Sequence, residues 1–207
     1  MITRNLFKTA LLSAAVVLST TVASADDGAR DGAKQSKNLV VYFSRTGEQY
    51  GVGVISHGNT AVVAEIIAGE TGADMFEVKP QKDEYPATYK ELTDYAKKEL
   101  FENARPAIAG SLPDLSGYDT VYIGAPVWWG DWPMIMYTFF ESKCGQMEGK
   151  KIMPFATHAG SGLSGFDRKL SEACGKASVG AGLAVTGADA QKDPESVKTA
   201  VKGWLGK

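Results

Sequence analysis

The chain has 207 residues, with 22 Lys and Arg against 24 Asp and Glu and 44% apolar residues, enough for one ordinary domain around a single sizeable core. Its formal net charge is −2 and its cationic residues are not clustered, which argues against a nucleic-acid surface. No group of His, Cys, Asp and Glu has the spacing of metal ligands, so no metal site is expected.

Residues 1–25 read as a secretory signal peptide. Arg4 and Lys8 form a basic start, and residues 9–22 hold an apolar stretch interrupted by Ser and Thr, too short to span a bilayer. Ala23-Ser24-Ala25 is a small-x-small cleavage site. The mature chain expected after cleavage at Ala25 is periplasmic or secreted and is not inserted in a membrane. It keeps 20 Lys and Arg against 24 Asp and Glu, a net charge of about −4. Residues 26–37 are polar and read as a flexible leader, with the domain spanning 38–207. Export bears on Cys144 and Cys174, because an even cysteine count in an oxidising compartment favours a disulfide. The alternative is that both are small buried hydrophobes.

The domain opens with a short apolar run, residues 39–43, rich in β-branched and aromatic side chains and expected as a buried strand. Ser44, Arg45, Thr46 and Gly47 follow, then an eleven-residue excursion at 48–58, then Asn59 and Thr60. These two open a helix over 60–71 whose apolar positions are Val62, Val63, Ile66 and Ile67, with Gly72 as its C-cap. A second strand is expected over 73–78. Tyr89, Leu92, Ala96 and Leu100 recur every three or four residues in the next helix. A third strand, 120–124, leads into an aromatic loop, and a helix runs over about 133–142. The fourth strand, 151–156, empties into a Gly-rich loop, beyond which Phe166, Leu170 and Cys174 share a helical face. Residues 179–185 form a last strand. Asp193-Pro194-Glu195 then reads as an N-cap, a first-turn proline and an early acid ahead of the stripe Val197, Val201 and Trp204.

Strand and helix thus alternate five times, which predicts an α/β fold with a parallel sheet covered on both faces. Ligands of such sheets bind outside the carboxyl ends of the strands. Three loops there carry the chemistry. The hydroxyls and backbone of Ser44, Thr46, Gly47, Asn59 and Thr60 suit a phosphate at a helix start, although the same residues could be simple capping. Arg45 adds charge there or faces solvent. Residues 125–132 present Trp128, Trp129 and Trp132 around a Gly130-Asp131 turn, a setting for a planar heterocycle, the alternative being that the rings cap the core. The loop 157–165 carries three glycines, so its amides can approach a ligand edge closely. Phosphate, planar ring and backbone-lined edge together describe flavin mononucleotide (FMN).

At these residues the chain resembles the flavodoxin family. The resemblance rests on Tyr42-Phe43-Ser44-Arg45-Thr46-Gly47 with Asn59-Thr60, on Gly124-Ala125-Pro126-Val127-Trp128-Trp129-Gly130, and on Pro154-Phe155-Ala156-Thr157-His158-Ala159-Gly160-Ser161-Gly162. It implies a doubly wound, three-layer α/β/α fold with a five-stranded parallel sheet of order 2-1-3-4-5 and FMN at its carboxyl edge. Ser44, Thr46, Gly47, Asn59 and Thr60 would hold the phosphate. Pro126, Val127, Trp128, Trp129 and Gly130 would line one side of the ring system, and Thr157, His158, Gly160 and Gly162 its other edge. The excursion at 48–58 departs from the compact loop of ordinary flavodoxins.

The function so implied is electron transfer by the flavin, with a redox protein or a small molecule as partner. Asp131 is expected to disfavour negative charge on the reduced ring. One alternative is an NAD(P)H-dependent quinone or azo reductase in which Trp128, Trp132 and His158 shape a substrate pocket. Another is a flavin-free binding module on the same fold. His158 is either a proton relay or a local packing residue, and His57 a solvated one. Ser161 lacks the G-x-S-x-G elbow of a hydrolase.

Overall fold

The computed structural model describes residues 37–207. The expected signal peptide and all of the leader but Lys37 lie outside the described residues. In chain order the elements are β1 (Asn38–Tyr42), β2 (Gly47–Gln49), β3 (Gly53–Ile55), α1 (Asn59–Thr71), β4 (Asp74–Glu77), α2 (Tyr89–Phe101) and β5 (Thr120–Pro126). They continue with α3 (Met134–Met147), β6 (Lys151–His158), α4 (Phe166–Ala173), β7 (Ser178–Val179), β8 (Leu183–Thr186), α5 (Gly187–Lys192) and α6 (Pro194–Leu205).

The central strands are apolar between their polar ends because both of their faces are covered. Successive residues of β1 point to opposite sides. Leu39, Val41 and Phe43 enter one core with Leu92 of α2, Ile135 and Phe139 of α3 and Leu170 of α4. Val40 and Tyr42 enter the other with Val63 and Ile67 of α1 and Val201 of α6. Helices therefore cover both faces, as the alternating pattern predicts.

All pairings within the main sheet are parallel, in the order β4-β1-β5-β6, with β7 and β8 both on the outer side of β6. This is the expected 2-1-3-4-5 order, with the fifth strand broken in two. The expected continuous strand over 179–185 fails at Gly180 and Gly182. A Cβ on Gly180 would stand 2.6 Å from Met153 Sδ, and one on Gly182 2.5 Å from Leu163 Cδ2. The close approach is kept by letting the ladder lapse, while Gly180 N–H still donates to the Ile152 carbonyl at 2.8 Å and Trp204 Nε1–H caps the Ala181 carbonyl at 2.8 Å.

Three further differences concern element bounds. Helix α3 runs five residues past the expected end at 142, which carries Cys144 into it. Helix α5 was not expected; Thr186 caps it by accepting from Asp189 N–H at 3.0 Å. The excursion at 48–58 contributes to an antiparallel hairpin, β2–β3, paired Gly47 with Ile55 and Gln49 with Gly53 and standing off the main sheet. Asp193 caps α6 through Ser196 N–H, and Gly72 ends α1 in the left-handed region, both as the sequence predicts.

Cys144 and Cys174 form a disulfide that ties α3 to the end of α4, with Cα atoms 5.0 Å apart. Among the described residues no helix is long and apolar enough to cross a membrane, and no cluster of His, Cys, Asp and Glu could hold a metal ion. From β1 the chain goes first to β4 on one side and then to β5 on the other. The loops after β1 and β5 therefore diverge, and the crevice between them at the carboxyl ends is the switch point where a ligand would bind.

Candidate functional site

The loop after β1 closes on itself despite the inserted hairpin. Ser44 Oγ accepts from Ala61 N–H in the first turn of α1 at 3.1 Å. Gly58, the N-cap, lies so close that a Cβ there would be 2.1 Å from Ser44 Oγ and 2.7 Å from the Arg45 carbonyl oxygen. Ser44–Arg45 and Gly58–Asn59 thus meet as a compact loop, from which the hairpin projects. The amides of Asn59 and Thr60 begin the helix, where no i−4 carbonyl serves them and the dipole is positive. These amides and the Ser44 hydroxyl form a cup that could hold an anion.

Not every residue expected at the cup faces it. Arg45 holds Asp83 through Nη1 at 2.7 Å and the Tyr85 carbonyl through Nη2 at 3.0 Å, with its guanidinium over the Tyr85 ring. Its charge is committed to bracing the 83–85 segment. Gly47, at φ +90°, serves the hairpin, since a Cβ would meet the Ala87 carbonyl oxygen at 2.7 Å. Thr46 is exposed. Thr60 Oγ1 and Thr157 Oγ1 are buried and 2.7 Å apart, so Thr60 ties the first loop to β6.

The aromatic loop is a tight turn. Trp128 and Asp131 exchange backbone hydrogen bonds of 2.9 and 3.0 Å, and Trp129 and Gly130 between them take φ of +52° and +72°, the signature of a type I′ turn. A tryptophan in the left-handed region is strained. Its ring is held by Nε1–H donating to the Thr93 carbonyl at 2.8 Å, and it remains 52% exposed. Trp128 packs edge-on against Phe43 and Tyr85.

Trp132 follows the alternative in which the rings cap the core, and does not wall the substrate pocket of the reductase reading. It is 1% exposed, stacks on Phe166 with ring centroids 3.7 Å apart and donates to the Phe166 carbonyl, so it belongs to the core. Asp131 and Gly130 are likewise engaged away from the crevice. Lys169 of α4 lies 3.1 Å from Asp131 Oδ2 and donates to the Gly130 carbonyl at 2.6 Å. Asp131 Oδ1 accepts from Trp132 N–H and the Tyr137 hydroxyl. The carboxylate is thus paired with a cation and does not line the cleft, which differs from the free acid expected beside the ring.

At the end of β6, Thr157 is buried and His158 half-buried. His158 Nδ1 accepts from Gly160 N–H at 2.9 Å, so the neutral ring carries its proton on Nε2. Burial pushes the His158 pKa below its ordinary value, with Asp189 opposing.

These parts surround one cleft of about 260 Å³. Asn59 lines it from the first loop, Pro126, Val127, Trp128 and Trp129 from the aromatic loop, and Thr157, His158 and Ala159 from the Gly-rich loop. Gly160 and Gly162 shape that last loop but do not line the cleft. The sequence reading missed Gln49 and Tyr50 of the hairpin, Tyr89, Leu92, Thr93 and Ala96 of α2, and Gly187. The helical spacing of Tyr89, Leu92 and Ala96 marks an apolar face without saying what the face meets. An aromatic residue followed by two closely spaced glycines in an inserted loop, Tyr50 with Gly51 and Gly53, is the signal for the hairpin.

The residues fit a nucleotide with a planar ring. The cleft is largely apolar and aromatic, the first loop supplies amides and the Ser44 hydroxyl, and Asn59, which lines the cleft, has a buried Oδ1 with no hydrogen-bond partner. An orphaned amide oxygen at that position suits a hydroxyl of a linking chain.

A model of the flavodoxin family matches residues 37–205. No curated protein matches the chain. Among solved structures, a protein described as a candidate flavoprotein from Bacteroides uniformis is 32% identical, over 84% of this chain and 100% of that one, with a TM-score of 0.65. A second so described, from Bacteroides eggerthii, is 26% identical over 83% and 96%, with a TM-score of 0.64. A flavoprotein from Lactobacillus acidophilus, solved in complex with FMN, is 25% identical over 78% and 99%, with a TM-score of 0.58.

Proposed function

The chain belongs to the flavodoxin family, and from that premise we propose that it binds FMN and serves as an electron-transfer protein after export. The observation that carries this reading is Asn59, which opens α1, lines the uncharged aromatic cleft and keeps a buried Oδ1 without a hydrogen-bond partner. Bound FMN supplies one- and two-electron chemistry at its ring.

The chain's own residues bind and orient. Ser44, with the amides of Asn59 and Thr60, would hold the phosphate, and Asn59 a hydroxyl of the ribityl chain. Pro126, Val127, Trp128 and Trp129 would flank the ring, and His158 Nε2–H would donate to an acceptor at its edge. Trp129, half exposed and fixed to α2, places an aromatic ring at the boundary between cleft and solvent, where electrons would pass to a redox protein or a small acceptor. Export is supported by the basic, apolar and small-residue order of residues 1–25 and by a disulfide suited to an oxidising compartment.

The test is direct. Protein recovered from the exported fraction should begin at Asp26, show the yellow flavin spectrum, and after stripping quench the fluorescence of added FMN to a stoichiometric endpoint. A colourless protein that takes up no FMN overturns the reading.

A further inference from the structure

Resting on the FMN reading, we propose that the mouth of the cleft takes an uncharged planar aromatic electron acceptor of the quinone class, and that Tyr50 of the hairpin enforces the exclusion of charged ones. Three of the large hydrophobic side chains that the described surface leaves exposed, Tyr50 at 63%, Tyr89 at 38% and Trp129 at 52%, line this one cleft. Exposed apolar residues scattered singly need no explanation, but rings gathered at one opening mark a binding site.

Among the described residues the lining includes no Lys, Arg, Asp or Glu. The charges nearby are held elsewhere: Arg45 on Asp83, Lys90 on Asp94, and the Glu48 carboxylate on Tyr89 N–H at 2.8 Å. Lys97 is stationed over the Trp129 ring, 4.8 Å from its centroid. A charged acceptor entering here would lose its hydration with no counter-ion in the lining to compensate, whereas a neutral ring would gain aromatic surface.

The inserted hairpin builds this selectivity. Glu48 N–H donates to the Ala87 carbonyl at 2.9 Å, which seats β2 against the start of α2 and brings Tyr50 within 5.5 Å of the Tyr89 ring. A loop without the insertion would leave that side of the cleft open. The quinone takes two electrons and two protons from the reduced cofactor and leaves as the hydroquinone, the cofactor returning to its oxidised form. An electron-donor protein supplies the reducing equivalents.

Holoprotein, photoreduced without oxygen, is mixed by stopped flow with menadione or with a naphthoquinone sulfonate of matched potential. Menadione should reoxidise it faster by roughly tenfold or more, a ratio that reflects the desolvation of the sulfonate. Tyr50→Lys should slow menadione, speed the sulfonate and collapse the ratio, and Tyr89→Lys should do the same from α2. Val54→Lys adds the same charge on the hairpin but outside the lining, and should leave the ratio within about twofold. Equal rates in the wild type, or an equal effect of Val54→Lys, overturn the proposal. Flavin content, read from the spectrum of each variant, separates the two readings: no FMN uptake by the wild type defeats the function, whereas full uptake with equal rates defeats only the acceptor.

Discussion

A Cβ on Gly58 would stand 2.1 Å from Ser44 Oγ, and neither atom can yield cheaply, since Ser44 caps α1 and the Arg45 carbonyl lies behind it at 2.7 Å. Gly58→Ala must therefore open the cup. It should weaken FMN binding by roughly ten- to a hundredfold in a fluorescence titration while leaving the circular dichroism of the fold unchanged. Unchanged affinity would remove the cup from the account. The residue scale is also where the sequence reading was most often redirected. Arg45, Asp131 and Trp132 have side chains suited to a nucleotide site, but Asp83, Lys169 and Phe166 claim them. A charge or ring is available to a ligand only when no neighbour in the fold has engaged it, and neighbours distant in sequence are invisible in a linear motif.

Among elements, the hairpin β2–β3 and the α3–α4 pair show two ways in which insertions and links are stabilised. The hairpin is anchored to the 87–89 segment by the backbone bond from Glu48 N–H to the Ala87 carbonyl and by the Glu48 carboxylate accepting from Tyr89 N–H, and it changes the walls of the site without disturbing the sheet. The disulfide acts on the far side of the aromatic loop, joining α3 to the end of α4. Neither cysteine lines the cleft. Replacing both with Ser should lower stability to urea by about 2–4 kcal/mol, the entropy of an untied loop, and leave FMN affinity unchanged. A loss of affinity comparable to the loss of stability would show that the link supports the site through α4 and Lys169.

At the scale of the whole molecule, one buried acid makes stability depend on pH. Glu99 is 7% exposed, on the inner face of α2, and receives the Tyr85 hydroxyl at 3.3 Å. Burial pushes its pKa from an ordinary 4.5 up to about 7, with the Tyr85 hydrogen bond opposing. Because the folded state then binds the proton more tightly than the unfolded chain, the contribution is complete below about pH 4.5 and is lost as pH rises through 7. The loss should come to about 2–3 kcal/mol between pH 5 and 8. Glu99→Gln keeps the shape and removes the titration, so its urea midpoint should be nearly flat over that range, where that of the wild type falls. Parallel slopes in the two proteins would assign the pH dependence to another group.

The residue order by itself determined the architecture. The apolar runs at 39–43, 120–124 and 151–156 match strands buried on both faces, and the glycine- and hydroxyl-rich segments after them match the loops at the carboxyl edge, because both are local consequences of backbone geometry and burial. It also carried the family resemblance that the family match supports. Only the tertiary structure decided which face of α2 completes the cleft, that the 48–58 excursion becomes a hairpin wall, and that the fifth strand breaks at Gly180. Each of these depends on contacts between segments far apart along the chain. Long-range packing chooses among conformations that local propensity leaves nearly equal in energy, and that choice is made by atoms such as Met153 Sδ and the Ala87 carbonyl rather than by any residue within reach of the motif.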